Sequence, residues 1–520
     1  MILTIAGIIV KFIGAGSRIY LSRLLGGEGI GLYQMAYPIY LLCLAVSSAG
    51  LPVAISIMVA EKNAVRDYLG GQRVFRISLL ALTCTGLFFS GLLYFGAGWL
   101  IEAHIVTDPR AYWSLLALAP AVLLATILAT LRGYFQGLQS MTPTAVSQII
   151  EQLVRVVTMI GLAVFLMRYG LEYGAAGATF GAAPGALVAI LVLIWFYCQN
   201  RSWRKDMYEN RNRDIVPDST MKIIKRLLVL AVPVSMANIM LPIVSNIDLF
   251  IVPRRLEVAG FAVEEATTFF GYLTGMATAL VNMPTILTAS LAASLVPIVS
   301  EAVANKNWDS IRQRTKLAMR ITNIITIPAF AGMCVIATPI SAMLYAIPDA
   351  GPCIAVMSFG VFLLGVQQVT TGVLQGMGRT AIPFINMAIS AAVKIVLSWN
   401  LTALPAWGVL GAAWATNADF GVAALLNLFF LYKYMGYRPE IGHTIRCFIS
   451  AGIMGAAVYG VYILLFPLIH SNTLATLAAI LVGILVYAVA TILTKAIVPE
   501  DVASIPKIGN KLAALVQRFN

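Results

Sequence analysis

The sequence predicts an all-α polytopic membrane protein, with fourteen transmembrane helices built as two parallel-repeat six-helix lobes plus two C-terminal helices. Hydrophobic residues form 60% of the chain and charged residues only 11%, and the mean hydropathy is +0.88. A soluble domain carries about a quarter charged residues. Apolar runs of about twenty residues, long enough to cross a bilayer as helices, recur along the chain. A weak internal repeat completes the prediction.

Fourteen apolar segments are the candidate membrane spans. They are 2–25, 32–59, 74–101, 112–139, 143–168, 174–198, 222–251, 266–299, 317–345, 352–377, 380–402, 407–432, 445–468 and 473–495. The first has no basic region before it and no small-residue cleavage site. We therefore expect it to be retained as a helix rather than removed as a signal peptide.

The net charge of +13 follows from the distribution of Lys and Arg between the spans. The connections after spans two, six and eight are basic, whereas those after spans nine, eleven and thirteen contain no Lys or Arg. The positive-inside rule then places both termini in the cytoplasm. The charge therefore reports membrane topology, and no nucleic-acid partner is expected.

Two pairs of segments resemble each other at offsets of about 235–240 residues: 134–157 resembles 372–396, and 173–197 resembles 407–432. A repeat of six helices in the same orientation is typical of two-lobed transporters with the substrate site between the lobes. The predicted domains are an N-terminal lobe at 1–198, a basic cytoplasmic linker at 199–221, a second lobe at 222–434, helices thirteen and fourteen at 435–496, and an amphipathic cytoplasmic tail at 497–520.

The first span carries three cations. Lys11 and Arg18 are seven residues apart and share a helix face with small residues, which favours a water-filled cavity over lipid. Arg23 lies nearer the helix end, where it can extend to the interface as an anchor. For Arg18 the alternative is a structural ion pair.

Spans five and eleven carry cations at equivalent places of the repeat. Glu151 and Arg155 are four residues apart, a spacing at which an intrahelical ion pair would neutralise both. Lys394 lies on a stripe with Asn386 and Ser390 and has no acidic neighbour in its own helix. Arg155 and Lys394 are therefore candidates for substrate binding or for structural pairing.

Span seven contains an acid, Asp248, and ends in Arg254 and Arg255. Carboxylate and carboxamide oxygens, which also occur in spans eleven and twelve, suit a coupling cation such as Na⁺ or H⁺. The ion-binding candidates are Asp248, Asn386, Asn417 and Asp419. Asp248 fits equally well as a counter-charge for Lys394 or Arg254.

Cations within membrane spans indicate an anionic substrate, and the planar guanidinium of arginine suits pyrophosphate because it binds phosphate oxygens in bidentate fashion. The candidate substrate-binding residues are Lys11, Arg18, Arg23, Arg155, Arg254, Arg255 and Lys394. The sequence contains no GxxxxGK[ST] loop, HExxH or paired-acid motif. We therefore expect a transporter rather than an enzyme, with no cofactor, driven by an ion gradient, the membrane potential or the substrate's own gradient.

Four stretches closely resemble the stage V sporulation protein B group of the multidrug/oligosaccharidyl-lipid/polysaccharide flippase superfamily. They are GSRIYLSRLLGGEGIGLYQMAYPIYLL at 16–42, SAGLPVAISIMVAE at 48–61, VSNIDLFIVPRRL at 244–256, and FFGYLTGMATALVNMPTILTASLAASLVPIVSEA at 269–302. With fourteen spans, the resemblance covers essentially the whole chain.

The resemblance implies an alternating-access flippase in the bacterial plasma membrane. The implied cargo is an undecaprenyl-pyrophosphate-linked cell-wall precursor such as lipid II, moved to the outer leaflet for peptidoglycan or spore-cortex synthesis. Related lipid II flippases use arginines in the first helix, which Lys11, Arg18 and Arg23 match in order, and some bind Na⁺ in the second lobe. Helices thirteen and fourteen resemble the pair that holds the lipid tail. The expected partners are the lipid-linked glycan, membrane lipids and cell-wall synthases, and a monomer is expected.

The chain departs from the lipid II flippases in two helices. Their arginine in the eighth helix is replaced by GYLTGMA at 271–277, and the charged residues of their second helix are replaced by LYQMAYPIYLL at 32–42. Another lipid-linked oligosaccharide therefore remains an alternative cargo. A cation-coupled drug antiporter predicts an acidic cavity, against which Lys11 and Arg18 argue. A scaffold for cell-wall synthases would use the same charges structurally.

Overall fold

The computed structural model describes residues 2–48, 50–199 and 218–497, and in that part of the chain it is helical without β-strands. The helices are α1 Ile2–Ser48, α2 Leu51–Ala64, α3 Tyr68–Glu102, α4 Tyr112–Gly137, α5 Met141–Leu166, α6 Leu171–Phe180, α7 Ala182–Gln199, α8 Thr220–Val258, α9 Val263–Phe270, α10 Thr278–Ala304, α11 Trp308–Val335, α12 Ala337–Tyr345, α13 Gly351–Gly376, α14 Ala381–Leu401, α15 Gly408–Met435, α16 Ile441–Ile469 and α17 Asn472–Leu493. A π-helix, Gly271–Ala277, connects α9 to α10. Most of the predicted linker and nearly all of the predicted tail lie outside the described residues.

Twelve helical segments of the described residues are long and apolar enough to cross a membrane, so the chain is a multi-span membrane protein, as predicted. The first segment, Ile9–Ala64, contains predicted spans one and two. Predicted span seven lies within α8, which is not among the twelve. The count of fourteen, the arrangement in lobes and the cytoplasmic termini remain predictions.

Two glycine-containing breaks divide the N-terminal helices. Gly26 has φ 69° and ψ −175°, so α1 consists of a helix at 2–25 and a second helix at 27–48. Glycine adopts positive φ without the steric penalty of a Cβ, which explains a sharp turn at this position. The second break includes Gly50, which precedes α2, and Pro52 lies in the first turn of that helix. Predicted span two is therefore two helical pieces rather than one.

The contacts between helices divide the chain into two compact units. The first is Met1–Arg254 with Val263–Gly271, and the second is Arg255–Ala262 with Tyr272–Asn520. In this division α8, which the sequence assigns to the second lobe, falls with the first unit up to Arg254, and its last four residues fall with the second unit. The core of each unit is mainly aliphatic, with a few aromatic residues. Buried core residues include Ile55, Val74, Leu131 and Leu193 in the first unit, and Val299, Ile311, Val373 and Leu431 in the second.

The same glycine-mediated packing occurs in both units. A Cβ on Gly137 of α4 would lie 2.7 Å from Val59 Cβ, and one on Gly376 of α13 would lie 2.7 Å from Val299 Cβ. Gly133 and Gly372 likewise allow the backbone of a neighbouring helix to approach closely. Helices in a membrane gain no hydrophobic energy by associating with each other. They depend instead on the close van der Waals packing that small residues allow. Equivalent contacts separated by about 240 positions support the predicted internal repeat.

Candidate functional site

Two arginines and one glutamate of the first unit converge between α4 and α5. The Glu151 carboxylate accepts from Arg132 Nη2 at 2.8 Å and from Arg155 Nη2 at 3.0 Å. Arg132 Nε also donates to Ser147 Oγ at 3.1 Å. The predicted Glu151–Arg155 ion pair is therefore confirmed, but it does not neutralise the site, because Arg132 shares the same carboxylate.

A glycine in α7 allows that helix to pack closely against α5, the helix that carries Glu151 and Arg155. A Cβ on Gly185 would lie 2.9 Å from the Glu151 carbonyl oxygen and 3.1 Å from Arg155 Cβ. The side chains of Arg132, Glu151 and Arg155 retain only 17–24% of their exposure. Charges so far removed from water are costly unless they are paired or bind a ligand.

Arg18 contributes a third cation to this cluster. Its Nη2 lies 3.4 Å from Gln34 Oε1 on the second half of α1. Arg18 and Arg155 are both electrostatic neighbours of Tyr33, which adjoins Gln34 in the sequence. Arg155 Nε is buried and has no hydrogen-bond acceptor among the described residues. We call Arg18, Arg132, Glu151 and Arg155 the cationic cluster, and its formal charge is positive.

Lys11 and Arg23 occupy more open positions on the first helix. Both side chains are exposed, whereas Arg18 between them is half-buried. A Cβ on Gly14 would lie 3.3 Å from Gln152 Nε2, so the small-residue face of this helix packs against the polar face of α5. The structure thus makes Arg18 and Arg155 electrostatic neighbours of the same tyrosine, Tyr33, and leaves Lys11 and Arg23 exposed.

In the second unit, polar side chains form a buried seam between α14 and α15. Ser390 Oγ donates to Asp419 Oδ1 at 2.6 Å, and Asn386 Nδ2 donates to Asn427 Oδ1 at 2.8 Å. Lys394, one turn beyond Ser390, is only 3% exposed. The seam therefore contains a buried cation and a buried acid, unlike the cluster with three arginines in the first unit.

The four ion-binding candidates do not form one group. Asn386 and Asp419 lie on the seam, whereas Asn417 Nδ2 donates to the Val356 carbonyl oxygen of α13 at 2.7 Å. Asp248 belongs to the first unit. Asn386 Oδ1 and Asn417 Oδ1 are buried and accept no hydrogen bond from the described residues. Such oxygens are suited to a cation, although no group of three His, Cys, Asp or Glu side chains occurs within the described residues.

The two arginines at the end of α8 differ in environment. Arg255 Nε donates to the Trp399 carbonyl oxygen at 2.8 Å, and its guanidinium lies 4.6 Å from the centroid of the Trp399 ring. Arg254 is exposed. These contacts give Arg255 an anchoring role within the second unit.

Sequence reasoning overlooked Arg132 and the tyrosines of the second helix. Arg132 is the one charged residue in the predicted span 112–139. A charge within an apolar span is the same feature that made Arg18 a candidate. Tyr33, Tyr37 and Tyr40 recur at helical spacing inside LYQMAYPIYLL, but the spacing alone does not show that they face a cation.

The fold and the buried charges define a helical multi-span membrane protein, and the comparisons with known proteins give its family. The chain belongs to the family described as polysaccharide biosynthesis protein, whose model matches residues 1–303. A second family model, MatE, matches residues 233–400. The predicted membership of the multidrug/oligosaccharidyl-lipid/polysaccharide flippase superfamily is confirmed.

Two named relatives come from Bacillus subtilis. Stage V sporulation protein B is 30% identical over 91% of this chain and 96% of its own length. Lipid II flippase MurJ is 25% identical over 88% of this chain and 86% of its own length. The first of these confirms the resemblance drawn from the four stretches of the sequence.

Solved structures share the fold. A structure of lipid II flippase MurJ in an inward closed conformation has a TM-score of 0.70 at 17% identity, covering 94% of this chain and 97% of that chain. An inward-facing multidrug resistance transporter of the MATE family has a TM-score of 0.66 at 14% identity, covering 82% and 94%. At these identities the likeness shows the fold alone.

Proposed function

We propose that this protein is a flippase that moves an undecaprenyl-pyrophosphate-linked cell-wall precursor, of the lipid II type, from the inner to the outer leaflet of the bacterial plasma membrane. The observation that carries the proposal is the cationic cluster, in which Arg132 and Arg155 share the Glu151 carboxylate and Arg18 contributes a third guanidinium. The names of the relatives support a lipid-linked glycan as cargo.

The charge of the cluster favours a phosphate ligand. With one carboxylate for three guanidiniums, positive charge remains in a site of low dielectric, where an unpaired ion costs several kcal/mol. A pyrophosphate diester is anionic and presents several oxygens to planar donors such as the arginine fork. The acceptor-free Arg155 Nε is a donor that such an oxygen would satisfy.

Glu151 gives the binding step an exchange mechanism. In the empty carrier it holds Arg132 and Arg155 in place. Pyrophosphate oxygens then replace the carboxylate around the guanidiniums, with Arg18 as a third donor. Because the bound charges are compensated by the cargo rather than by Glu151, occupied and empty states differ in electrostatic energy. Such a difference is what a ligand needs in order to shift a conformational equilibrium.

An apolar cavity in the second unit suits the lipid tail. It has a volume of about 560 Å³ and lies between α11, α16 and α17, with Pro328, Met333, Met454, Ile484 and Tyr487 in its lining. A polyprenyl chain is apolar and would gain by burial against such residues. The resemblance to flippases whose two added C-terminal helices hold the lipid tail supports the same location, since α16 and α17 are those helices here.

Ion coupling through the second unit completes the proposed cycle. The unsatisfied oxygen of Asn386, together with Asp419 on the same seam, offers ligands for Na⁺, or for H⁺ in the case of the carboxylate. Binding there would reset the empty carrier. The protein would act as a monomer with both termini in the cytoplasm, near cell-wall synthases.

A lipid-linked oligosaccharide other than lipid II is the second candidate cargo. A probable low-salt glycan biosynthesis flippase, Agl15 of Haloferax volcanii, is 24% identical over 40% of this chain. The cationic cluster serves either cargo, because both present a phosphate next to a sugar. The two candidate cargoes therefore differ in their glycan and not in the group that the cationic cluster binds.

The test is complementation in bacteria depleted of their own lipid II flippase, with lipid II at the outer leaflet measured by a membrane-impermeant probe. We expect restored exposure with the wild type, and its loss with Arg155→Gln at equal membrane abundance. Arg314→Gln, at an exposed position of α11, is the matched control and should retain activity. No restoration by a well-inserted wild type would refute lipid II as cargo. Full activity of Arg155→Gln would refute the cationic cluster as its site.

A further inference from the structure

Three tyrosines form a continuous aromatic surface on the second half of α1. The ring centroids of Tyr33 and Tyr37 are 5.4 Å apart with an interplanar angle of 20°, and those of Tyr37 and Tyr40 are 5.7 Å apart at 42°. We call these three residues the tyrosine ladder. Tyr33 and Tyr37 are half-buried, so part of each ring is accessible, while Tyr40 is buried.

The tyrosine ladder lies beside the cationic cluster. Arg18 Nη2 lies 3.4 Å from Oε1 of Gln34, the residue next to Tyr33 in the helix. Tyr33, Tyr37 and Tyr40 are also electrostatic neighbours of Arg155. Leu32, Met35 and Ala36 of the same helix are fully buried, and Tyr40 is only 2% exposed, so these residues pack into the core of the unit. Tyr33 and Tyr37 are the part of the ladder that keeps accessible surface.

The internal repeat shows that this packing does not require aromatic side chains. A Cβ on Gly31 would overlap the carbonyl of Thr267, and a Cβ on Gly271 would overlap that of Gly27, so Gly31 and Gly271 are equivalent at an offset of 240. At the same offset the ladder positions correspond to Leu273, Ala277 and Leu280. Aliphatic residues thus occupy the three equivalent positions of the repeat, so the stacked rings are a feature of the first unit.

We propose that the tyrosine ladder is the saccharide subsite of the carrier and binds the sugar that is joined to the pyrophosphate. A sugar ring presents an apolar C–H face that packs on an aromatic ring, and its hydroxyls pair with phenolic hydroxyls, so tyrosine matches both parts of its surface. The first sugar is covalently attached to the phosphate, so its subsite must adjoin the arginines that hold the phosphate. The ladder meets this requirement. This inference rests on the proposed function and adds that the carrier recognises the sugar of its cargo as well as the pyrophosphate.

The experiment compares two ligands on the purified full-length protein in nanodiscs. The ligands are undecaprenyl pyrophosphate and the same lipid carrying a disaccharide, with undecaprenol as the uncharged reference. The variants are Tyr33→Leu/Tyr37→Leu, which removes both rings, and Tyr33→Phe/Tyr37→Phe, which keeps them. Tyr459→Leu, at an exposed position of α16, is the matched control.

We expect the wild type and Tyr459→Leu to bind the glycan-bearing lipid about tenfold more tightly than undecaprenyl pyrophosphate, equivalent to about 1.4 kcal/mol. The Leu variant should lose this preference, and the Phe variant should keep most of it. A wild type without the preference, or a Leu variant that retains it or weakens both ligands equally, would overturn the inference. Failure of the proposed function looks different: the wild type would then bind neither pyrophosphate lipid more tightly than undecaprenol.

Discussion

Removing the negative charge of Glu151 tests the electrostatic balance of the cationic cluster most directly. In Glu151→Gln the side chain keeps its size and one acceptor oxygen, but Arg132 and Arg155 lose the carboxylate that they contact at 2.8 Å and 3.0 Å. Two guanidiniums then face each other in a site with little water. We expect the variant to be less stable than the wild type.

The magnitude follows from the burial of the three side chains. Breaking a fully buried pair costs about 3–5 kcal/mol because it leaves an uncompensated charge. Here the side chains of Arg132, Glu151 and Arg155 retain 17–24% exposure, so solvent screens part of the interaction. We therefore expect a loss of about 2 kcal/mol in the free energy of unfolding, which is below the value for complete burial.

Thermal unfolding in nanodiscs, with and without undecaprenyl pyrophosphate, measures both the loss of stability in the variant and its stabilisation by the added anion. A ligand that binds only the folded state raises its stability according to its affinity. The added anion should stabilise Glu151→Gln more than the wild type, because it replaces the missing carboxylate. Glu301→Gln, an exposed glutamate of α10, is the control and should match the wild type. A Glu151→Gln variant as stable as the wild type, with no larger response to the ligand, would refute this reasoning.

Three further predictions concern other parts of the fold. Gly137→Ala should cost about 1–3 kcal/mol by overpacking, because its Cβ would lie 2.7 Å from Val59 Cβ, whereas Gly91→Ala, with no neighbour within 4 Å, should be tolerated in the same unfolding assay. Hydrogen bonds from two lysines lower the pKa of Asp218 to about 2. The contribution of this carboxylate to stability is therefore present above pH about 4 and lost as the pH falls to about 2. Asp218→Asn should remove this component from the acid-unfolding profile, and an unchanged profile would contradict the prediction. Arg255→Ala removes a backbone hydrogen bond and an aromatic contact and should cost about 0.5–1 kcal/mol of stability, with a larger loss of flipping activity indicating a direct role in binding.

Local helix formation was readable from the sequence because it depends on short-range properties. The predicted first span ends at residue 25, and the structure breaks α1 at Gly26. Glu151 and Arg155 pair as their spacing predicts, since residues four apart in a helix are neighbours wherever the helix lies. The break at Gly50 and the π-helix Gly271–Ala277 were not predicted, because both lie inside continuous apolar runs.

The sequence by itself determined that this chain is a helical membrane protein of a flippase superfamily, with cations in its first and fifth spans. Length and hydropathy suffice for that, since a bilayer accepts only segments that satisfy their own backbone hydrogen bonds. Only the tertiary structure decided which cations meet. Arg132 joins Glu151, Arg255 turns to Trp399, and the tyrosine ladder faces Arg155. Those contacts depend on how each helix is rotated and how closely its glycines let a neighbour approach, which no single helix encodes.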